Sequence, residues 1–106
     1  MEKVNVSNLD DKLKATSVVL LDFSSPGCAP CVKVQQLIAE SLAGLDPQKA
    51  IALEVDIVEN APIAMKYMVL SVPTVIVFHR GREIQRLTGI PRKEKLRQLL
   101  QSLDHS

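Results

Sequence analysis

Two kinds of hydrophobic pattern follow one another along the chain. Short continuous apolar runs are typical of strands that are buried on both faces of a sheet. Apolar residues that recur every three or four positions are typical of helices with one buried side. The runs predict strands at Val18–Phe23, Ala50–Asp56, Thr74–Phe78 and Glu83–Leu87. The helical spacing predicts helices from Ser7 to about Ala15 and over Cys31–Leu42, Ala61–Tyr67 and Pro91–Leu103.

The order of these elements predicts an α/β fold. Strands and helices alternate, and the last two strands form a hairpin, so we expect a mixed central sheet flanked by helices. Ser7 can cap the first helix with Asp10 near its N3 position, and Gly44 and Pro47 end the helix that starts at Cys31. No repeat, linker or low-complexity segment interrupts the 106 residues, of which 46% are hydrophobic. We therefore expect a single domain over residues 1–106.

Charge is distributed unevenly, although the net charge is only +1. Residues 1–60 sum to −4 and residues 61–106 sum to +5. The positive excess comes from a dense basic region with Arg80, Arg82, Arg86, Arg92, Lys93, Lys95 and Arg97. No aromatic residue lies among these side chains, so nucleic-acid binding is not expected. The remaining interpretations are a solvated face and a docking surface for an acidic redox partner.

The N-terminal segment, residues 1–7, lacks the basic and apolar regions of a secretory signal. No part of the chain approaches the length of a membrane span. We therefore expect a cytoplasmic protein that does not bind membranes. In that compartment a purely structural disulfide is rare.

The only two cysteines, Cys28 and Cys31, stand where the first predicted strand turns into a helix. Cysteines at i and i+3 of a first helical turn lie on one face, so they can close a small disulfide ring at the positive end of the helix dipole. The thiolate is the reactive form, and Cys28, nearer the turn and preceded by Gly27, is the expected exposed nucleophile. Cys31 lies one turn deeper and is the expected resolving thiol. The competing interpretations are an inert buried pair and a zinc site. Zinc needs four ligands, and the only histidines, His79 and His105, lie far along the chain.

Asp22 interrupts the apolar strand Val18–Phe23. A carboxylate that is buried without a partner is costly, and burial raises its pKa. Such a group is suited to accept and return the Cys31 proton while a mixed disulfide is resolved. The alternative is an aspartate tied to a neighbouring lysine or to a backbone N–H group.

Over nearly its whole length the sequence resembles the thioredoxin family. The segments that carry the resemblance are V-L-L-D-F-S-S-P-G-C-A-P-C-V-K-V, L-E-V-D at Leu53–Asp56, S-V-P-T at Ser71–Thr74, F-H-R-G at Phe78–Gly81 and T-G-I at Thr88–Ile90. A C-x-P-C motif after a buried strand, with V-P-T opening another strand roughly 40 residues later, is a specific combination. The resemblance implies a thioredoxin fold and thiol–disulfide oxidoreductase activity, with no metal and no cofactor besides the Cys28–Cys31 disulfide. It also implies disulfide-containing client proteins, an upstream reductase such as a thioredoxin reductase, and a monomer.

The resemblance further implies a client-binding site around the cysteines. Its expected residues are Gly27, Ala29, Pro30, Val72, Pro73 and Gly89. A cis peptide bond before Pro73 would place the Val72 backbone beside the cysteines, where an extended client segment pairs with it as an added strand. A plain proline at the first position of a strand is the alternative. By the same resemblance Asp22 is the proton-exchanging carboxyl, and Pro30 is typical of reducing members.

Several positions depart from the family pattern. Ser24 and Gly27 stand for tryptophans, Ala29 for a glycine, Gln36 for a proline and Ala52 for a lysine. A smaller apolar platform for clients is expected from Pro26, Gly27, Pro62, Ile63, Val72 and Ile90. The alternatives to a general reductase are a carrier for one partner and a binding or sensor module of the same fold. A glutaredoxin-like activity is a third, although no glycine pair with a following aspartate comes after V-P-T.

Overall fold

The computed structural model describes residues 1–104. Its elements, in chain order, are β1 (Glu2–Lys3), α1 (Leu9–Leu13), β2 (Val18–Ser24), α2 (Ala29–Leu42), β3 (Ala50–Asp56), α3 (Ala61–Lys66), β4 (Thr74–His79), β5 (Arg82–Thr88) and α4 (Lys93–Asp104). The strands lie in the order β1-β3-β2-β4-β5. β1, β3 and β2 are parallel, β4 runs antiparallel to β2, and β5 runs antiparallel to β4. The predicted α/β class with a mixed sheet is confirmed.

Helices cover both faces of the sheet and divide the core into two layers. On one face, Val19, Leu21 and Phe23 of β2 pack with apolar residues of α1 and α3. On the other face, Val18 and Leu20 pack with residues of α2 and α4. Alternate residues of a strand point to opposite faces, so a continuous apolar run can serve both layers. All of β2 is buried, as predicted for a strand covered on both sides.

The start of α1 differs from the prediction. The helix begins at Leu9 with Asn8 as its N-cap, and no side chain caps it. The predicted Ser7 cap is wrong because the Ser7 hydroxyl donates to Asn5 Oδ1 at 2.6 Å, and the same oxygen accepts the Asn8 N–H. A local turn built on the asparagine side chain therefore occupies the atoms that a Ser7 cap needs. The helix also ends earlier than predicted, at Leu13.

Other element ends shift by one or two residues. Helix α2 begins at Ala29, α3 ends at Lys66, and α4 begins at Lys93. The short edge strand Glu2–Lys3 has no apolar pattern by which to predict it. His105 lies outside the described residues. Over residues 1–104, no helix has the length and apolar character needed to cross a membrane.

The carboxyl ends of β2 and β3 and the start of α2 meet at one edge of the sheet. The parallel register places Asp22 beside Glu54 and Ser24 beside Asp56. Because β4 runs in the opposite direction, its first residue, Thr74, lies at the same end. The elements that carry the predicted site residues therefore converge on this edge.

Candidate active site

Cys28 and Cys31 are joined by a disulfide, and their Cα atoms are 5.2 Å apart. Cys28 is the N-cap of α2, with φ −91° and ψ 100°, and its Sγ accepts a hydrogen bond from the Cys31 N–H at 3.2 Å. Cys28 thus lies at the entrance of the helix, as predicted, with the extended backbone of a cap residue, and Cys31 lies in the first turn. The cap position still sets Cys28 Sγ at the positive end of the helix. Pro30 lies in the first turn, where its missing N–H costs no helical hydrogen bond.

The two cysteines differ in their access to solvent. Cys31 is 2% exposed, whereas Cys28 is only half-buried. The chain turns before Cys28 with a φ of +73° at Gly27, a backbone conformation that costs other residues about 1–2 kcal/mol. Gly27 also carries no side chain that could cover the neighbouring sulfur. Cys28 is therefore the more accessible of the two cysteines, as predicted.

Asp22 lies within β2 and is 0% exposed. Among residues 1–104, neither of its carboxylate oxygens has a hydrogen-bond partner of standard geometry. Burial raises the pKa of Asp22 to about 7, while the Gln35 amide opposes this rise and the charge of Glu54 adds to it. Within these residues the alternative of an aspartate held by a lysine or a backbone N–H is wrong. A carboxyl group with this pKa can take up or release a proton near neutral pH.

Helix α2 carries Cys31 on the face that also carries Gln35. Cys31 and Gln35 are four residues apart, so they lie on the same face of the helix. Gln35 acts on Asp22 from that face. The structure thus brings the predicted residues Cys28, Cys31 and Asp22 to one end of the sheet.

A cleft of about 540 Å³ opens beside the disulfide. Its lining includes Lys3, Ser24, Cys28, Cys31, Gln35 and Glu54. Within the cleft, Glu54 Oε1 accepts hydrogen bonds from Ser24 Oγ at 3.0 Å and from Gln35 Nε2 at 3.3 Å. The sequence motifs do not predict this polar cluster. One signal of it is that Glu54 interrupts the apolar run of β3, as Asp22 interrupts that of β2.

The peptide bond between Val72 and Pro73 is cis, as the resemblance implied. Pro73 is buried, precedes β4, and accepts the Gly89 N–H on its carbonyl oxygen at 2.9 Å. The alternative of a plain strand opener is therefore wrong, since β4 begins one residue later. Within residues 1–104, the backbone N–H and C=O of Val72 make no backbone hydrogen bond. An extended segment could pair with these groups.

The expected apolar platform is only partly present. Ile63 is 2% exposed and packs in the core, so its place in the platform is wrong: α3 turns this side chain towards the sheet. Pro62 is exposed but lies with Val6 in a separate small cleft near α1. The other four positions remain at least partly accessible, namely Pro26, Gly27, Val72 and Ile90.

The part of the chain that the structure describes contains no metal-binding group. Among residues 1–104, no three His, Cys, Asp or Glu side chains are grouped so that they could hold a metal ion. The cysteine pair is engaged in its own disulfide.

Comparisons with known proteins point to one family. The thioredoxin family model matches residues 1–102. A thioredoxin of Staphylococcus saprophyticus is 37% identical over 99 residues, which cover 93% of this chain and 93% of the relative. A thioredoxin of Staphylococcus epidermidis is 39% identical over 98 residues and 92% of each chain. Among solved structures, a mutant thioredoxin from Halobacterium salinarum is similar with a TM-score of 0.87 at 28% identity, covering 97% of this chain and 89% of that one.

Proposed function

Because the chain belongs to the thioredoxin family and is a thiol–disulfide oxidoreductase that reduces protein disulfides, we propose separate roles for three residues. Cys28 is the nucleophile, Cys31 is the resolving thiol, and Asp22 exchanges the Cys31 proton. The observation that supports this assignment is the difference in surroundings between the two cysteines of the disulfide. A partly exposed cysteine lies at the helix N-terminus, and a buried cysteine lies on the same helix face as Gln35, whose amide acts on the buried carboxyl of Asp22.

The reaction starts from the reduced protein, with Cys28 as a thiolate and Cys31 as a thiol. Cys28 Sγ attacks one sulfur of a client disulfide; that bond breaks, a mixed disulfide forms, and the other client sulfur leaves as a thiolate. Asp22 then accepts the Cys31 proton while Cys31 Sγ attacks Cys28 Sγ. The internal disulfide forms and the second client sulfur leaves as a thiolate. Two electrons have passed to the client, whose two thiolates take up protons from water.

The client segment binds beside the sulfurs along the loop that precedes β4. The unpaired backbone groups of Val72 form hydrogen bonds with an extended segment, and the cis bond before Pro73 shapes this edge. The other contact residues are Gly27, Ala29, Pro30 and Gly89. Because main-chain groups provide most of the bonding, many client sequences can bind at this edge.

In the cell, the protein acts in the cytoplasm as a single-domain monomer that carries electrons to disulfide-containing client proteins. An upstream reductase of the thioredoxin reductase type reduces the internal disulfide after each turnover. No cofactor beyond that disulfide takes part. A carrier that serves one or a few partners is the second candidate, because Ser24 and Gly27 leave a polar cleft and Ile63 is withdrawn into the core.

Matched serine variants of the two cysteines test the assignment. Cys28→Ser should reduce insulin no faster than dithiothreitol alone, because the nucleophile is lost. Cys31→Ser should also stop turnover but accumulate a mixed disulfide with insulin, visible by non-reducing electrophoresis and mass spectrometry. In the reduced natural protein, iodoacetamide should alkylate Cys28 well before Cys31 at neutral pH.

Thermal unfolding of both serine variants serves as the control that they are folded. Faster alkylation of Cys31, or a mixed disulfide that forms through Cys31 in Cys28→Ser, would reverse the two roles. A binding or sensor module of the same fold would form the internal disulfide and yet give no insulin reduction. That result would remove the reductase proposal.

A further inference from the structure

The buried carboxyl of Asp22 has no route of its own to water. The residue is 0% exposed, and neither carboxylate oxygen has a hydrogen-bond partner of standard geometry among residues 1–104, although the Gln35 amide acts on the carboxyl and lowers its pKa. A group that takes a proton in each turnover has to pass that proton on before the next one. The site therefore needs a second polar group that lies beside Asp22 and also meets the solvent.

Glu54 has this position. In the parallel register of β2 and β3 it stands directly beside Asp22, and neighbouring strands are about 4.8 Å apart. Residues that are paired in this way project from the same face of the sheet. Glu54 is only half-buried and lines the cleft next to the disulfide. Glu54 therefore lies between the buried carboxyl of Asp22 and the solvent of the cleft.

Two hydrogen bonds orient Glu54. Its Oε1 accepts from Ser24 Oγ at 3.0 Å and from Gln35 Nε2 at 3.3 Å. Ser24 is 4% exposed and lies two residues after Asp22, on the same face of β2. Within residues 1–104, no donor bonds to the second oxygen, Oε2. That oxygen is available to carry a proton.

Within the described part of the chain, the groups packed around Asp22 and Glu54 include one cation, Lys3, but it forms no ion pair with either carboxyl. On β1, Lys3 is in register with Glu54 and lines the cleft, and on β3, Asp56 lines it two residues further on. The titratable group of α2 that lines the cleft is Cys31, with Cys28 at the N-cap of the helix, and on β4 the residue opposite Asp22 is Val75. Among residues 1–104, neither Asp22 nor Glu54 has an ion-pair partner within 4.0 Å. The negative charge of Glu54 therefore favours the protonated form of Asp22 and helps to raise the pKa of Asp22.

We infer that Glu54 passes protons between Asp22 and the water of the cleft, an inference that rests on the proposed role of Asp22. As Cys31 Sγ bonds to Cys28 Sγ and the client sulfur leaves, the Cys31 proton moves to Asp22. The proton then moves from Asp22 to Glu54 and from Glu54 to water, which returns both carboxyls to their starting states. No electron moves in these two transfers. Glu54 acts through Asp22 and is therefore a positioning residue rather than a catalytic one.

Glu54→Gln tests the inference, because it keeps the size of the side chain and an acceptor oxygen but cannot carry the proton. The measured quantity is the rate at which a mixed disulfide between the protein and insulin is resolved in a single turnover. Rapid mixing with acid quench monitors this rate. At pH 7 in dilute buffer we expect roughly tenfold slower resolution. The loss stays below that of a direct acid–base group because water still reaches the cleft. Added imidazole, which is small and titrates near neutral pH, should restore most of the rate.

Three comparisons isolate the effect. Glu54→Asp keeps a carboxyl in the cleft and should lose less of the rate than Glu54→Gln. Glu59→Gln makes the same chemical change at an exposed residue outside the cleft lining and should behave as the natural protein. In a Cys31→Ser background, Glu54→Gln should leave the rate of mixed-disulfide formation unchanged, because that step does not use Asp22. If Glu54→Gln does not fold, Ser24→Ala removes a bond that orients Glu54 and should give a smaller, imidazole-dependent slowing.

A natural resolution rate in Glu54→Gln at every pH and imidazole concentration would overturn the inference. A slow rate that imidazole does not raise would also overturn it, because that behaviour indicates a purely structural effect. Both results leave the roles of the cysteines and of Asp22 intact. The proposed function itself fails on different observations: Cys28→Ser that still reduces insulin, or Asp22→Asn that resolves mixed disulfides at the natural rate.

Discussion

On one face of β2, the row of side chains that ends in Phe23 is apolar over its whole length and packs with α1 and α3. On the opposite face, the row begins with Val18 and Leu20 but ends in Asp22 and Ser24. Asp22 and Phe23 are neighbours in the chain and both are 0% exposed. The two rows therefore differ in chemistry and not in burial. The polar part is confined to the end of the strand, where the sheet meets the disulfide.

This difference separates the part of the core that stabilises the fold from the part that costs stability. Burying a phenylalanine side chain contributes about 1.5–3 kcal/mol, whereas burying a polar group without a partner costs roughly 2–7 kcal/mol. The polar end of the second row persists because the apolar remainder of both layers offsets that cost. Substitutions at adjacent residues of β2 should therefore change stability in opposite directions.

Phe23→Ala should have the largest effect, a loss of about 3–5 kcal/mol in the free energy of unfolding. The substitution removes a fully buried ring and its edge-on contact with Tyr67, whose ring centroid is 6.4 Å away. Urea unfolding followed by circular dichroism measures the loss. Phe23→Leu is the matched control and should lose much less, because it keeps most of the volume. A loss below about 1 kcal/mol for Phe23→Ala would contradict the stabilising role of this face.

Asp22→Asn should stabilise the protein at neutral and alkaline pH. The pKa of Asp22 is about 7 in the folded protein, against an ordinary value of 3.8. Below the lower value the carboxyl is neutral in both states. Between the two values the unfolded chain ionises first, so the stability of the natural protein falls as pH rises and becomes level above pH 7. Asparagine does not titrate, so the advantage of the variant should grow over this range, to about 4 kcal/mol at most.

Urea unfolding at pH 4 and pH 8 measures this growth. Glu59→Gln removes a carboxyl at an exposed position and should show no comparable change with pH. The same Asp22→Asn protein should resolve mixed disulfides more slowly than the natural protein, by about 10²-fold or more at neutral pH. An advantage that stays constant between the two pH values would show that the Asp22 carboxyl is not held neutral by the fold.

The sequence predicts the polar end of the second row only in part. β3 matches its predicted bounds, Ala50–Asp56, in full, because a continuous apolar run between turn residues leaves few alternatives. The burial of Asp22 is predictable for the same reason: a strand that is covered on both faces offers a polar residue no exposed side. The cysteine pair and the cis bond before Pro73 follow from the family motifs. Sequence motifs and apolar runs are local signals, so they can be recognised without the tertiary structure.

The features that the sequence does not predict depend on contacts between elements. Glu54 lies beside Asp22 only because of the register between β2 and β3, and the two paired residues are 32 positions apart in the sequence. The burial of Ile63 is not readable because α3 has only six residues, too few to define an apolar face. The cap of α1 is decided by competition, since the side chain of Asn5 accepts hydrogen bonds from Ser7 and Asn8. Pattern alone does not rank such competing partners.

Gly27→Trp should have the smallest effect and sharpens the comparison where the polar row of β2 opens to the surface. An aromatic contact contributes about 0.5–1.5 kcal/mol, so kcat/KM for insulin should rise only a few-fold. One structural fact limits the gain in kcat/KM and another permits it. The φ of +73° at Gly27 makes any side chain there strained, at a cost of about 1–2 kcal/mol in stability. Apart from Gly27 itself and its two chain neighbours, no heavy atom lies within 4 Å of an added Cβ, so no other part of the protein blocks the base of the ring.

Gly27→Ala is the matched control, because it carries the same backbone strain without an aromatic ring. It should lose stability like Gly27→Trp and show no gain in kcat/KM. Both variants are assayed with insulin and the same concentration of dithiothreitol, and the alkylation rate of Cys28 is measured separately to detect a change in its reactivity. Equal kcat/KM for the two variants would mean that the missing ring does not limit client binding. The polar cleft would then be a feature of proton exchange alone, and the case for a carrier with few partners would lose its support.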